Sequence, residues 1–240
     1  MTGLPIQHVR VKHRRKYALL LTTVFFLSFL AVTAQDNAQW DNQAYLSNKI
    51  SFGKNKWKYS FELQTRLKDN FQQLDNWFVE FVSNYMFAKH FEMVPDFRFT
   101  IKPDKVEYRM GLGILYKKTI PRLQFVNQVK WQLDVDSHGK TGNAAREVVF
   151  LNYPLKEKMI TTLVAGFIYR WWPDWNGFQY IRVGPGFTYR FDEKHTLNFS
   201  YFVGVENRKG SWLWAGIPMV QLVINVSQKY KYTPAYYFNF

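Results

Sequence analysis

Residues 56–67 read Lys-Trp-Lys-Tyr-Ser-Phe-Glu-Leu-Gln-Thr-Arg-Leu. Trp57, Tyr59, Phe61, Leu63, Thr65 and Leu67 fall on one face, and Lys58, Ser60, Glu62, Gln64 and Arg66 on the other. A period of two sustained this long defines a β-strand with one apolar and one charged face. Strands of soluble proteins usually stop after about five or six residues. A tilted strand needs roughly 9–11 residues to cross a bilayer. The pattern therefore points to a membrane β-barrel, provided that it repeats.

It does repeat. In residues 39–52, Trp40, Ala44, Leu46, Ile50 and Phe52 oppose Asp41, Gln43, Ser47, Lys49 and Ser51. Residues 76–87 set Trp77, Val79, Phe81, Tyr85 and Phe87 against Glu80 and Asn84. Residues 91–101 oppose Phe91, Met93, Phe97, Phe99 and Ile101 to Glu92, Asp96, Arg98 and Thr100. In residues 106–116, Val106, Tyr108, Met110, Leu112 and Ile114 oppose Glu107, Arg109, Gly111 and Gly113. Residues 123–135, 179–191 and 196–206 follow the same rule, and 146–153 and 161–171 follow it more weakly. The breaks fall at short polar or Gly/Pro-containing stretches, with the longest polar loop expected at 136–145.

A soluble barrel or sandwich also alternates, with its apolar face inward. Three features favour the membrane. The strands run long, Trp and Tyr sit near strand ends as in an interface girdle, and the polar faces mix charges with glycine. Aromatics make up 19% of the chain while mean hydropathy is only −0.31. That combination fits strands whose membrane signal is weak per segment. The chain has no cysteine, which excludes disulfides, cysteine-held metals and a lipidated cysteine anchor.

The first residues read as an export leader. Arg10, Lys12, Arg14, Arg15 and Lys16 precede an apolar core at 18–31, and Val32-Thr33-Ala34 supplies small residues before a cut at Gln35. The domains expected are thus a signal peptide, 1–34, and an outer-membrane barrel, 35–240. An uncleaved anchor is the alternative, though the core is short for a spanning helix. Without the five leader cations, 27 Lys+Arg face 18 Asp+Glu, a charge of +9. A basic surface can bind nucleic acid, but these cations alternate with aromatics instead of clustering, so a lumen or headgroup role is expected.

Twelve antiparallel strands are expected if residues 231–240 form the last one, with ten as the alternative. Tyr236, Phe238 and Phe240 alternate there like the aromatic C-terminal signature read during outer-membrane assembly. Twelve would satisfy the even count of bacterial barrels. If Tyr230 ends the barrel instead, eleven segments remain.

Several of these stretches carry a resemblance. The order from Trp40 to Phe52, a turn, Trp57-Lys58-Tyr59-Ser60-Phe61-Glu62-Leu63-Gln64-Thr65-Arg66, then Leu74-Asp75-Asn76-Trp77-Phe78-Val79-Glu80, resembles an uncharacterised family of small bacterial exported proteins. Arg109, Arg146 and the hairpin from Tyr189 to Leu197 resemble it as well. That family carries a domain-of-unknown-function label and is expected to form outer-membrane barrels. The resemblance implies fold and location and no activity. The chain departs from the family where 231–240 continue past Tyr230.

Catalytic chemistry is not indicated. His90, His138 and His195 fall in turns, and none has a strand-borne serine in evident reach. The stretch from Asp134 to Gly139 lacks the glutamate that a calcium loop needs at its twelfth position, where Ala145 stands. Gly111 and Gly113, and Gly184-Pro185-Gly186, sit inside strands and open no phosphate-binding helix. No cofactor, metal, nucleic acid or small-molecule ligand is expected. The partners expected are outer-membrane lipids of a Gram-negative bacterium and the barrel-assembly machinery during biogenesis. Glu62, Arg66, Glu80, Arg98, Glu107, Arg109, Arg182, Arg190 and Glu206 are expected to form a charge network in the lumen. Tyr59, Phe61, Tyr108, Phe187, Tyr189 and Phe199 are expected to face lipid. The function expected is a barrel with a largely salt-bridge-filled lumen and a structural or surface-interaction role. The alternative is a narrow, anion-leaning pore or transporter of small solutes.

Overall fold

The computed structural model describes residues 40–173, 175–208, 210–230 and 237. The expected leader lies outside the described residues, as does the expected strand at 231–240 apart from Tyr237.

Among the described residues, alternation becomes strand wherever the sequence supplied it. The elements are β1 (Trp40–Asn42), β2 (Ala44–Asn55), β3 (Trp57–Lys68), β4 (Gln73–Ala88), β5 (Phe91–Ile101), β6 (Val106–Ile120), β7 (Leu123–Asp136), β8 (Thr141–Lys156), β9 (Met159–Trp172), β10 (Trp175–Arg190), β11 (His195–Arg208) and β12 (Ser211–Tyr230). From β2 to β12 each strand pairs antiparallel with the next. β12 then pairs with β2 and closes the sheet into a ring of eleven.

That last pairing is parallel, running from Met219 opposite Tyr45 to Tyr230 opposite Asn55. Eleven up-and-down strands leave the first and last pointing the same way, so only a parallel seam can join them. β1 lies in the same register on β12, with Trp40 opposite Trp214 and Asn42 opposite Gly216. The Gln43 amide between β1 and β2 still donates to the Gly216 carbonyl at 2.9 Å. β1 and β2 thus behave as one strand interrupted at Gln43. The twelfth element among the described residues is this N-terminal piece, while the strand expected at 231–240 lies outside them apart from Tyr237.

The strands are longer and the loops shorter than expected. The longest polar loop, expected at 136–145, shrinks to 137–140, because β8 already begins at Thr141. In that short turn the Asp136 carboxylate accepts from the amides of His138 and Lys140, both at 3.0 Å. The β3–β4 loop carries three consecutive left-handed residues, Asp69, Asn70 and Phe71, with φ of 52, 56 and 68°. Such conformations cost roughly 1–2 kcal/mol per non-glycine residue. Anchors to β1 offset the cost: Asn70 N donates to Asp41 Oδ1 at 3.1 Å, and Phe71 N to the Asn42 carbonyl at 3.2 Å.

The two faces of the ring differ in kind. Outside stand Leu46, Phe61, Met110, Leu112, Trp131, Ile181 and Phe199 among many exposed apolar side chains. Inside are packed Glu62, Gln64, Glu80, Arg98, Gln132, Asp134 and Gln221. An apolar patch interrupts the polar interior, with Val94, Leu115, Val126, Phe150, Phe202 and Ile217 within it.

Candidate functional site in the barrel lumen

Register places six charges in one row around the wall. Lys49 on β2 stands opposite Glu62 on β3, Glu62 opposite Glu80 on β4, and Glu80 opposite Arg98 on β5. Arg98 stands opposite Arg109 on β6, and Arg109 opposite Asp134 on β7. The signs along the row run plus, minus, minus, plus, plus, minus. Every member has an unlike neighbour on one side, and it is with that neighbour that it pairs. Lys49 Nζ lies 3.5 Å from Glu62, Arg98 Nη2 lies 2.8 Å from Glu80, and Arg109 Nε lies 2.6 Å from Asp134. Charges removed from water need such partners, since an unpaired one costs several kcal/mol.

Further contacts extend the row. Asp134 also binds Arg170 on β9, so one carboxylate holds two guanidinium groups. Glu62 accepts from Ser47 at 2.7 Å and from Gln221 at 2.9 Å, which ties the row across the parallel seam. Lys130 Nζ is 2.6 Å from Asp96 Oδ2 in a buried ion pair. A Cβ at Gly111 would overlap the Asp96 carboxylate, so glycine there makes room for the charge. Glu92 pairs with Lys117 at 3.0 Å and accepts from Asn84 at 2.9 Å. A second chain runs Arg182, Glu206, Arg208, Asp41, with Gln43 donating to Glu206 at 2.9 Å.

Of the nine residues expected in this network, Glu62, Glu80, Arg98, Arg182 and Glu206 are buried inside the ring. Arg109 is there too, on Asp134. Glu107 is drawn to the β5–β6 turn, 2.7 Å from Lys102 and 2.9 Å from Lys105. Arg66 is half-buried, donates to Gln64 Oε1 at 2.7 Å, and stacks on the rings of Tyr45 at 4.2 Å and Phe78 at 5.2 Å. Arg190 stands exposed at the last position of β10 and joins none of these ion pairs among the described residues. Its parity would turn it inward, but the strand ends there and the side chain reaches solvent. The set of nine omits Lys49, Asp96, Lys130, Asp134 and Arg170. The first four share the polar-face parity that selected the others; Arg170 is masked by its neighbours Tyr169, Trp171 and Trp172.

The outer residues keep their expected side. Phe61, Tyr108, Tyr189 and Phe199 are exposed, and Tyr59 and Phe187 half-buried, on the outward parity of their strands. Tyr59 stacks between Phe52 and Trp57, at 5.3 and 5.8 Å, and Trp57 meets Tyr85 at 4.5 Å. These rings form an aromatic group on the outer wall near the β2–β3 turn.

One further side chain enters the interior from outside the ring. Tyr237, from beyond the end of β12, packs against the apolar patch. Its hydroxyl donates to Asn84 Oδ1 at 2.9 Å, and its ring lies 6.2 Å from that of Phe150. Lys49 and Lys58 each approach the ring at 5.7 Å. Tyr237 therefore touches β2, β3, β4 and β8.

A closed β-barrel with a charge-paired interior and an apolar outer wall is the class that this geometry defines. Residues 40–215 match the family described as "Protein of unknown function (DUF2490)", and the chain belongs to that family. No curated protein matches it. Among solved structures, a porin described as "NanC porin structure in rhombohedral crystal form" is similar at 12% identity, over 71% of this chain and 89% of that one, with a TM-score of 0.47.

Proposed function

We propose that the protein is an outer-membrane β-barrel of a Gram-negative bacterium, exported by a leader at 1–34, with a sealed lumen and a structural or surface-interaction role. The observation that carries this reading is the inverted polarity of the ring. Leu46, Phe61, Met110, Leu112, Ile114, Trp131 and Phe199 are exposed, while Glu62, Glu80, Asp134 and Arg182 are buried. In water such a wall would leave an apolar belt far larger than a monomer tolerates. In a bilayer the same belt is solvated by lipid, and the closed ring satisfies its backbone.

The sealed lumen follows from what fills it. Phe78, Phe150, Phe202, Gln64 and Gln132 are fully buried inside the ring, and Tyr237 adds another ring from the tail. Barrels of about eight strands are filled by side chains and those of sixteen hold water. Eleven strands lie nearer the filled limit. Histidines 90, 138 and 195 stand at the rims, and the reading is non-enzymatic. Lipids and the assembly machinery are the partners it requires.

One observation favours the second reading, a narrow anion-leaning pore. Among the described residues Lys58 and Arg66 pair with no carboxylate, so the interior keeps a cationic excess. Fractionation with mass spectrometry of the N-terminus, followed by planar-bilayer recording, tests both. Outer-membrane protein beginning at Gln35 and passing no steady current is expected. Large, steady, non-selective current from the parent overturns the sealed reading.

A further inference from the structure

Around Tyr45 the interior gathers guanidinium groups on aromatic faces. Arg66 lies 4.2 Å and Arg182 5.6 Å from the Tyr45 ring centre. Arg182 also lies 4.0 Å from the Tyr180 ring, and Arg98 lies 3.8 Å from Phe78, the ring that Arg66 meets at 5.2 Å. Arg98 and Arg182 both act electrostatically on Arg66. Of the three, Arg98 is satisfied by Glu80. Arg182 is 4% exposed and gives Nη2 to Glu206, while its Nε and Nη1 donate to nothing among the described residues. Arg66 gives Nε to Gln64 and keeps both terminal amino groups without a partner among the described residues. The carboxylate of Asp75, which also acts on Tyr45, is held by Lys68 at 3.5 Å and by Asn76 at 2.6 Å.

Stacking fixes a guanidinium plane and leaves its edge to donate. Such an edge suits a carboxylate or phosphate, which accepts two parallel hydrogen bonds from it. Arg66 is two residues from the end of β3 and half-buried, so the site opens toward the rim that holds the β3–β4 loop. We propose that Arg66 and Arg182, set on Tyr45, form a binding site for a small oxyanion at this end of the lumen. A bound oxyanion neutralises Arg66, relieves its repulsion from Arg98 and Arg182, and satisfies the idle Arg182 donors. The site makes a sealed barrel a binding protein, and it makes a narrow pore selective at its mouth. It rests on the barrel having an interior, and on neither reading of conduction.

The test is equilibrium dialysis of the full mature chain, folded in detergent, against radiolabelled inorganic phosphate and separately against radiolabelled acetate. Sodium chloride holds the ionic strength constant. Saturable retention of either probe is expected. Arg66→Gln should weaken it about tenfold or more, the loss expected for a charged bidentate contact. Arg66→Lys should recover only part, because lysine keeps the charge and loses the planar fork. Far-UV circular dichroism checks the strands of each variant; Arg66→Gln leaves no carboxylate orphaned, and Arg66→Lys serves if it misfolds. No saturable retention of either probe, or equal retention by Arg66→Gln, overturns the site. Vesicle flotation is read separately. A protein that binds phosphate but does not float with lipid overturns the membrane reading and leaves the site standing.

Discussion

Arg98 and Arg109 stand directly opposite one another on β5 and β6, two like charges in register inside the ring. Each is held from its far side, Arg98 by Glu80 at 2.8 Å and Arg109 by Asp134 at 2.6 Å. The pairing is therefore built from cross-strand neighbours, and a single change shifts load along the row. Asp134 carries the most, since it holds Arg109 and Arg170 together.

Asp134→Ala should destabilise the barrel by about 3–5 kcal/mol, because it takes the carboxylate from the buried Arg170 and the half-buried Arg109 at once. Arg109→Ala should cost about 1.5–3 kcal/mol or less. Arg170 still neutralises Asp134 in that variant, and Arg98 loses a like-charged neighbour. Urea unfolding in lipid vesicles measures both, and an Arg109→Ala cost equal to that of Asp134→Ala would contradict the row.

Outside the ring the expected costs depend on depth. Leu112 lies near the middle of β6 and is 56% exposed. Leu112→Arg should cost about 2–4 kcal/mol, the penalty of a charge facing mid-bilayer. Phe187 lies three residues from the end of β10. Phe187→Arg should cost about 0–1 kcal/mol, because the arginine reaches the interface there. Equal costs at the two positions, measured by the same unfolding, would place the wall wrongly in the membrane.

The β10–β11 turn supplies a pH-dependent element beyond the wall. Asp192 accepts from the His195 ring at 2.9 Å and from the amides of Lys194 and His195, both at 2.7 Å. These bonds, the His195 ring first, hold its carboxyl down at about 2. A depressed carboxylate stabilises its turn above the ordinary aspartate range, and the effect disappears as pH falls through about 2. The protection of the Lys194 amide, its exchange relative to the intrinsic rate at each pH, should thus persist at pH 4 and fall as pH approaches 2. In Asp192→Ala the protection should be lost at pH 4 already; protection unchanged in that variant would refute the assignment.

The period-two pattern made the wall legible. Side-chain direction in a strand is fixed by parity alone, so Glu62, Glu80, Arg98 and Arg182 could be turned inward, and Phe61, Tyr108 and Phe199 outward, without any knowledge of neighbours. Parity does not say where a strand leaves the ring, which is why Arg190 reads as interior and stands exposed. It does not give direction either. The faces of β2 and β12 suit a parallel or an antiparallel partner equally, so the seam between Tyr45 and Met219 had no local signal. Short polar stretches mislead for the opposite reason: Gly142 and Ala144 read as loop, yet small residues are what a crowded interior needs beside Arg146 and Arg170. Tyr237 was hidden by company, since Tyr236, Phe238 and Phe240 alternate around it as a strand would.

Tyr237 offers the sharpest check on whether the lumen is sealed by the chain itself. Its hydroxyl donates to Asn84 at 2.9 Å, and Asn84 in turn donates to Glu92 at 2.9 Å, so the tail is joined to the ion-paired interior. Its ring sits on the apolar patch near Phe150 and between the approaches of Lys49 and Lys58. Tyr237→Ala removes the ring and the hydroxyl without touching the barrel wall. It leaves a cavity flanked by two lysines, which water and anions can enter more readily than cations. Planar-bilayer recordings should show openings in Tyr237→Ala that the parent lacks, with current carried mainly by chloride. Tyr237→Phe should remain closed, because the ring still fills the space and only the Asn84 bond is lost. A silent Tyr237→Ala, with its strands intact by circular dichroism, would mean that the wall residues seal the lumen by themselves. Openings in Tyr237→Phe equal to those in Tyr237→Ala would shift the weight from the ring to the hydrogen bond with Asn84.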